Sequence, residues 1–131
     1  MIPIDNLIDE IKIAAGLNVI LGMKTFGPDE YPLINILPDV DMNFNTLTTT
    51  SLTLFINLTI KIITAKDCER QAFDALEATL KTINKIDCQK GNRIGTRTDN
   101  IITGSISTLY TDNTYEISIP YTMQEIIQNT I

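Results

Sequence analysis

An alternation of apolar and polar residues between Leu52 and Ile62 constrains the fold of this chain more than any other feature. Every even position in this run is apolar and the odd positions are mostly polar, with Phe55 as the exception. A period of two predicts a β-strand with one face in the core and one wetter face. The threonine-rich residues 46–51 are expected to extend this strand backwards. A strand over 46–64 would measure roughly 60 Å, whereas a domain of 131 residues is only about 35–40 Å across. Such a strand must bend into two or project beyond its own domain.

The other segments predict a mixed fold around this strand. Apolar residues at helical spacing predict two amphipathic helices, and Asp67 suits the N-cap of the second. Prolines bound a short strand, whose ends are therefore expected to be loose or at an edge. The expected elements are a helix over 3–15, a strand or extended arm over 18–26, a strand over 32–38, a helix over 67–86 and a hairpin over 101–121, with loops over 39–45 and 87–99.

The hairpin is expected to turn at Asp112-Asn113, which sets its register. Tyr110 then faces Tyr115, Thr108 faces Ile117, Ile106 faces Ile119 and Gly104 faces Tyr121. Pro120 suggests that the last strand lies at an edge, and residues 123–131 are expected to form a short, helical tail. Together the elements predict one α+β domain over 1–131, with a mostly antiparallel sheet of four to five strands and two helices on one face.

Composition argues against most enzyme classes. The chain has no His, so Ser-His-Asp and Cys-His nucleophile systems and His-ligated zinc are excluded. Cys68 and Cys88 lie at the two ends of one predicted helix, about 30 Å apart, too far for a disulfide. The formal net charge of -6 argues against nonspecific binding to nucleic acid or an anionic membrane. The sequence therefore predicts a protein that is not an enzyme and needs no cofactor or metal.

Three patterns offer weak alternatives. Asp39-Val40-Asp41 could hold a divalent cation, but it lacks the glycine turn and distal glutamate of a calcium loop. The glycine- and arginine-containing run 91–97 follows a helix, whereas a phosphate-binding loop opens one. Asp74 and Glu77 have basic neighbours and suit solvated ion pairs better than paired acids. No convincing active site emerges.

Neither the N-terminal residues nor the longest uncharged run predicts membrane targeting. The N-terminus has no basic region, and acidic residues interrupt its apolar positions. The uncharged run over 42–60 is rich in Thr, Ser and Asn, which makes it too polar for a spanning helix. We expect a protein made in a cytoplasm.

The order of elements resembles that of the tail-terminator, or tail-completion, proteins of long-tailed bacteriophages. The likeness rests on five segments in this order: the N-terminal helix, the strand Tyr31-Pro32-Leu33-Ile34-Asn35-Ile36, the acidic segment 39–45, the alternating strand and the helix that follows it. The resemblance implies a virion protein that forms a homo-oligomeric ring, usually a hexamer. Its partners would be the tail tube protein and a head-closure or neck protein, with DNA passing through unbound and no membrane involved.

On this reading, exposed strand edges and apolar ends join the subunits. The residues expected at the subunit interface are Thr48, Thr50, Thr53, Phe55, Asn57, Ile126 and Ile127. The residues expected to face the tube, the neck or the lumen are Asp39, Asp41, Phe44, Lys90, Arg93 and Arg97. Two alternatives stay open: another neck or tail-end assembly protein, and a non-enzymatic ligand- or peptide-binding module with a pocket between sheet and helix.

Overall fold

A computed structural model describes the backbone of residues 2–22, 24–43, 51–90, 101–102 and 105–128. Side chains are described for residues 4–22, 24–38, 56–85 and 105–122. The helices are α1 (Ile2–Ala15) and α2 (Glu69–Lys90), with a single 3-10 turn at Pro28–Glu30. The strands are β1 (Asn18–Leu21), β2 (Leu33–Asn43), β3 (Ser51–Ala65), β4 (Ile101–Ile102), β5 (Ser107–Tyr110) and β6 (Thr114–Gln128).

The described strands form one mixed sheet in the order β1-β2-β3-β6-β4, with β5 also paired to β6. Only β1 and β2 run parallel, and each of the other described pairs is antiparallel. The α+β class is therefore confirmed. The described sheet has six strands rather than four or five, because the short β4 and β5 pair separately with β6.

The core lies between one face of the sheet and both helices. Ile36, Ile60 and Ile119 are opposite one another on β2, β3 and β6, and each is fully buried. The even positions of β3 that the alternation assigned to the core are buried wherever their side chains are described. The helices contribute Ile4, Leu7 and Ile11 from α1 and Ala72, Ala75 and Ile83 from α2. The two helices thus cover the same face, as the sequence predicts.

The predicted end of the second strand at Pro38 is wrong, because β2 continues to Asn43 and pairs with β3 along its whole length. Residues 39–43 are therefore strand and not loop. The Gly22 N–H donates to the Ile36 carbonyl at 2.8 Å, which directs the backbone groups of Ile36 towards β1. Alternation along a strand then directs the nitrogen of Pro38 to the same side, away from β3. The missing N–H of Pro38 consequently costs β2 no hydrogen bond to β3.

The C-terminal segment is also a strand, so the predicted helical tail is wrong. β6 runs from Thr114 to Gln128 and pairs with β3 from one end to the other. It is not an edge strand, because β3 lies on one side and β4 and β5 lie on the other. Pro120 is tolerated because it faces away from β3, between the residues that pair with β5 and those that pair with β4.

Helix α2 begins two residues later than predicted and ends later as well. Residues 66–67 form a turn, and the helix starts at Glu69, so Asp67 is not its N-cap. Residues 87–90 continue the helix and do not belong to a loop. Thr79 and Thr82 are buried on its inner face, where their hydroxyls donate to the carbonyls of Ala75 and Ala78 at 2.8 Å. These local bonds satisfy the hydroxyls inside the core.

The hairpin register is confirmed over β5. Tyr110 is opposite Tyr115 and Thr108 is opposite Ile117, while the Thr111 N–H donates to the Thr114 carbonyl at 2.9 Å. Beyond β5 the register shifts, since Ile102 rather than Gly104 is opposite Tyr121. Four residues separate Ile102 from Ser107, but only two separate their partners Tyr121 and Ser118 on β6. A difference of this kind indicates a break in strand pairing. Ile106 accordingly precedes β5 and has no partner in the described pairing.

Candidate assembly surfaces

Three long strands form a ribbon that is longer than the helices covering it. β3 and β6 each have 15 residues and β2 has 11, so β3 is about 50 Å long. Helix α2 has 22 residues, which gives it a length of about 33 Å. Even a perfectly aligned α2 would leave about 17 Å of β3 beyond its end. From Ser51 to Ala65 the strand does not fold back on itself, because its pairing with β6 is continuous.

One edge of this ribbon is open within the described part of the chain. β1 pairs with β2 only as far as Ile36, and the bond from Gly22 is the last that a described residue makes on that side. The backbone groups of Pro38, Val40 and Met42 point towards this open side. An unpaired row of this kind is the template on which a second chain adds a strand. We call residues 37–43 the β2 edge.

The predicted interface residues on β3 lie in the middle of the sheet. Thr53 pairs with Asn43 and Ile126, Phe55 with Asp41 and Gln124, and Asn57 with Asp39 and Thr122. The backbone of β3 is thus occupied on both sides. A contact between copies through these three positions would have to use side chains and not strand addition. Thr48 and Thr50 lie outside the described residues.

Ile126 and Ile127, predicted on an apolar tail, are strand residues of β6. They are opposite Thr53 and Leu52 of β3. Their backbone is part of the ribbon, at the end that extends furthest from α2.

The residues expected to face the tube or lumen are spread over different elements. Asp39 and Asp41 belong to β2 and Lys90 is the last residue of α2. Phe44, Arg93 and Arg97 lie outside the described residues. Asp39 and Asp41 thus share one face of β2, and Lys90 belongs to a different element.

The face of the sheet opposite the helices carries polar side chains that link β3 to β6, while Leu33 and Ile63, opposite each other on β2 and β3, are buried apolar residues of the same face. The Thr122 hydroxyl donates to the Asn57 side-chain carbonyl at 2.8 Å. Lys61 forms an ion pair with Glu116 at 3.5 Å, with the two side chains 31% and 15% exposed. Both pairs join β3 to β6 and so stabilise the ribbon. The opposite charges of Lys61 and Glu116 cancel within their ion pair.

The helix layer offers a groove on its outer side, not beneath it. The groove is bordered by Glu10 and Ile13 of α1 and by Asp74, Glu77 and Lys81 of α2. Lys81–Glu77 at 3.0 Å and Lys85–Glu10 at 3.7 Å are ion pairs on its walls. Between α2 and the sheet, by contrast, Ala72, Thr79 and Tyr121 are fully buried. These side chains belong to the core, and the described groove lies on the other side of the helix layer.

An aromatic patch lies at the start of α2, and sequence reasoning missed it. Phe73 and Tyr110 are 50% and 57% exposed, and both contact the buried Tyr115. The ring centroids of Phe73 and Tyr115 are 6.1 Å apart, and those of Tyr110 and Tyr115 are 4.6 Å apart. Partial burial, the Glu69 carboxylate and Tyr115 raise the pKa of Tyr110. We call Glu69, Phe73, Tyr110 and Tyr115 the aromatic patch.

Phe73 is one of the apolar residues at helical spacing that predict the second helix, and such residues are expected to face the core. The stripe that is actually buried turns slightly away from Phe73, towards Ala72, Ala75 and Thr79. The available signal was the hairpin register, which correctly set Tyr110 opposite Tyr115 in a strand that follows the helix.

Two further properties concern chemistry. Within the described ranges, no group of three or more His, Cys, Asp or Glu side chains is arranged to hold a metal ion. No helix in the described part of the chain combines the length and apolarity needed to cross a bilayer.

The fold is similar to that of a chain in the virion of a native gene transfer agent (GTA) particle. The TM-score is 0.57 at 12% sequence identity, and the likeness covers 88% of this chain and 84% of the other. No protein-family model matches the chain, and no curated protein matches it. At this identity the likeness shows a shared fold.

Proposed function

We propose that this chain is a structural protein of a phage-like virion, and that copies of it form a ring closing the end of the tail tube. In that position the ring joins the tube to the head or neck, and the chain has no catalytic role. The observation that carries the proposal is the β2 edge on a ribbon longer than its helices. The unused backbone donors and acceptors of this edge are groups to which a second chain can add a strand.

Two further observations support the same assignment. The shared fold with a chain of a gene transfer agent virion supports a place in a virion, although fold alone does not specify the role. The polar links between β3 and β6 are compatible with a surface past which DNA moves without binding, because Lys61 is already paired with Glu116. A ring built by head-to-tail contacts needs two different surfaces on each copy, and the β2 edge is one of them.

Electron microscopy of particles that carry an epitope-tagged copy of the chain tests the position. The expected result is antibody label at the junction between tail tube and head. Label along the tube or over the head shell would contradict the tube-closing role while keeping a virion role. Particles that contain no label, with the tagged chain expressed and folded, would contradict both.

Mixing the purified chain with its tube protein tests the ring directly. The expected result is a ring at one end of each tube, visible by negative staining. A chain that binds the tube along its length, or that stays monomeric with and without the tube, would contradict the ring.

A further inference from the structure

We propose that the outer side of β5 receives the β2 edge of a neighbouring copy, so that the sheets of successive copies join through backbone hydrogen bonds. This contact rests on the proposed ring, for which it supplies the second surface. Its occupant is a second copy of this chain, and the two strands meet in one direction and one register.

The outer side of β5 is exposed along the whole strand. β5 pairs with β6 on one side, and no described residue pairs with it on the other. All four of its side chains are exposed, and Leu109 and Tyr110 are 58% and 57% exposed. Ile106, immediately before the strand, is also exposed. Large exposed apolar side chains beside an unpaired strand edge are typical of a surface that another chain covers.

The hydrogen bonds of the hairpin determine which backbone groups of β5 point outwards. The Thr111 N–H donates to the Thr114 carbonyl at 2.9 Å, so these two residues form a hydrogen-bonded pair across the turn. Bonded and non-bonded pairs alternate along an antiparallel ladder. The N–H and C=O groups of Thr108 and Tyr110 therefore point away from β6, to the open side.

The strand order determines the direction in which the two edges meet. β2, β3, β6 and β5 are successive neighbours in the sheet, and each pairs antiparallel with the next. β5 consequently runs opposite to β2 within one copy. Copies around a ring whose axis runs along the strands keep the same strand direction. β5 of one copy then meets β2 of the next in antiparallel orientation.

Pro38 selects the register between the two edges. The outward groups of the β2 edge belong to Pro38, Val40 and Met42, and proline has no N–H. When Tyr110 is opposite Val40, Thr108 is opposite Met42, and all four outward N–H groups meet a carbonyl. A shift by two residues in one direction leaves the Tyr110 carbonyl facing the nitrogen of Pro38. The same shift in the other direction takes Thr108 beyond the end of β2.

The two edges lie at opposite corners of the sheet. β5 follows residues 115–118 of β6, which face residues 61–64 of β3 and thereby the start of β2. The β2 edge begins later along the strand, at residue 37, and on the other side. Joining the edges therefore shifts each copy along the strands relative to the next. Closing a sheet into a ring requires a stagger of this kind, because the strands of a closed sheet tilt against its axis.

Two proline variants test the head-to-tail contact without requiring a complete ring. Val40→Pro removes an outward donor of the β2 edge and leaves β5 intact, whereas Thr108→Pro does the reverse. Each variant alone should need a concentration at least about tenfold higher than the wild type for half-assembly. An equimolar mixture should form dimers with one copy of each, because β5 of the first variant can still receive the β2 edge of the second.

Native mass spectrometry measures these species, and urea denaturation should show both variants folded. Leu109→Pro is the destabilised control, since its N–H faces β6. Dimers formed by Thr108→Pro alone would show that two β2 edges pair with each other, and would overturn the proposal. A mixture of the first two variants that stays monomeric while the wild type assembles would also overturn it.

Disulfide trapping tests the register. Leu109 of one copy is expected opposite Asp41 of the next in a non-hydrogen-bonded pair, with Cα atoms about 4.5 Å apart, which suits a disulfide. Copies with Leu109→Cys and copies with Asp41→Cys, all carrying Cys68→Ser and Cys88→Ser, should form a covalent dimer on mixing and oxidation. Ser107→Cys is the matched control, because it lies on the same face of β5 but two residues out of register.

The same cross-link separates failure of the edge contact from failure of the ring. A selective cross-link in a sample that contains open chains and no closed rings by electron microscopy would contradict the ring and support the edge contact. Closed rings without a selective cross-link would overturn the edge contact and leave the ring standing. Equal yields from the two β5 cysteines would overturn the register.

Discussion

Two proline substitutions at adjacent positions of the β2 edge should have different effects. Val40→Pro should weaken assembly, and Asp41→Pro should weaken folding. The N–H of Val40 points to the open side, whereas that of Asp41 points to β3 opposite Phe55. Val40→Pro therefore removes a donor that no described residue uses. Asp41→Pro removes a donor from the ladder between β2 and β3 and leaves a carbonyl of β3 without its partner. Pro38 already occupies an equivalent outward position two residues earlier.

The expected magnitudes differ clearly between the two variants. Asp41→Pro should lower the free energy of unfolding by about 1–3 kcal/mol. With an m-value of about 2 kcal/mol/M, the urea midpoint falls by about 0.5–1.5 M. Val40→Pro should change the free energy of unfolding by less than about 1 kcal/mol, but raise the concentration for half-assembly by about tenfold or more.

Urea denaturation followed by circular dichroism measures the first effect, and native mass spectrometry over a concentration series measures the second. A Val40→Pro variant that assembles like the wild type would refute the role of the β2 edge. Equal destabilisation by the two substitutions would refute the assignment of which amides point outwards.

Three further predictions concern stability and titration. Ile60→Ala, at a fully buried position, should lower the free energy of unfolding by about 2–5 kcal/mol, whereas Ile13→Ala, at a position 79% exposed, should change it by less than about 0.5 kcal/mol; equal urea midpoints would contradict the packing described. Asn35→Ala should cost about 1–3 kcal/mol, because its amide donates to two backbone carbonyls of the β1 segment at 2.9 and 3.3 Å, and hydrogen exchange of β1 should accelerate with it. Because the pKa of Tyr110 is raised from 10.0, the folded state retains this proton longer than the unfolded state, and its contribution to stability is lost as pH rises through that range. In an ultraviolet titration Glu69→Gln should move the pKa of Tyr110 downwards, and no movement would contradict the proximity of the carboxylate.

Much of the fold was predictable because periodicity reports burial directly. The alternation between Leu52 and Ile62 identified the buried face of β3, and the spacing around Asp112 and Asn113 set the register of β5 against β6. These are local patterns in which one face of an element meets the core.

The errors share a physical cause, which is that sequence does not show which way a backbone group points. Pro38 and Pro120 were taken as strand ends or edge markers, yet both lie within strands at positions that face away from β3. Acidic residues 39 and 41 were taken as loop, although the long partner strand β3 extends the pairing over them. Strand ends depend on the partner strand as well as on local composition.

The candidate site was harder to predict than the fold. The predicted interface residues on β3 have their backbone paired on both sides, whereas the open edge belongs to β2. The aromatic patch joins Phe73 of α2 to Tyr110 of β5, two residues that are 37 positions apart in the chain. Whether Phe73 faces the core or solvent depends on a small rotation of α2 that also buries Thr79, and helical periodicity alone does not resolve it.

Hydrogen exchange at single-amide resolution over the β2 edge tests the central proposal most directly. In dilute, monomeric protein the amides of Val40 and Met42 should exchange fast, while that of Asp41, which faces β3, should be protected. On assembly the amides of Val40 and Met42 should become protected, because a neighbouring copy supplies their acceptors. The exchange rate of the Asp41 amide should not change. Fast exchange at Val40 and Met42 within the assembled ring would show that another surface joins the copies.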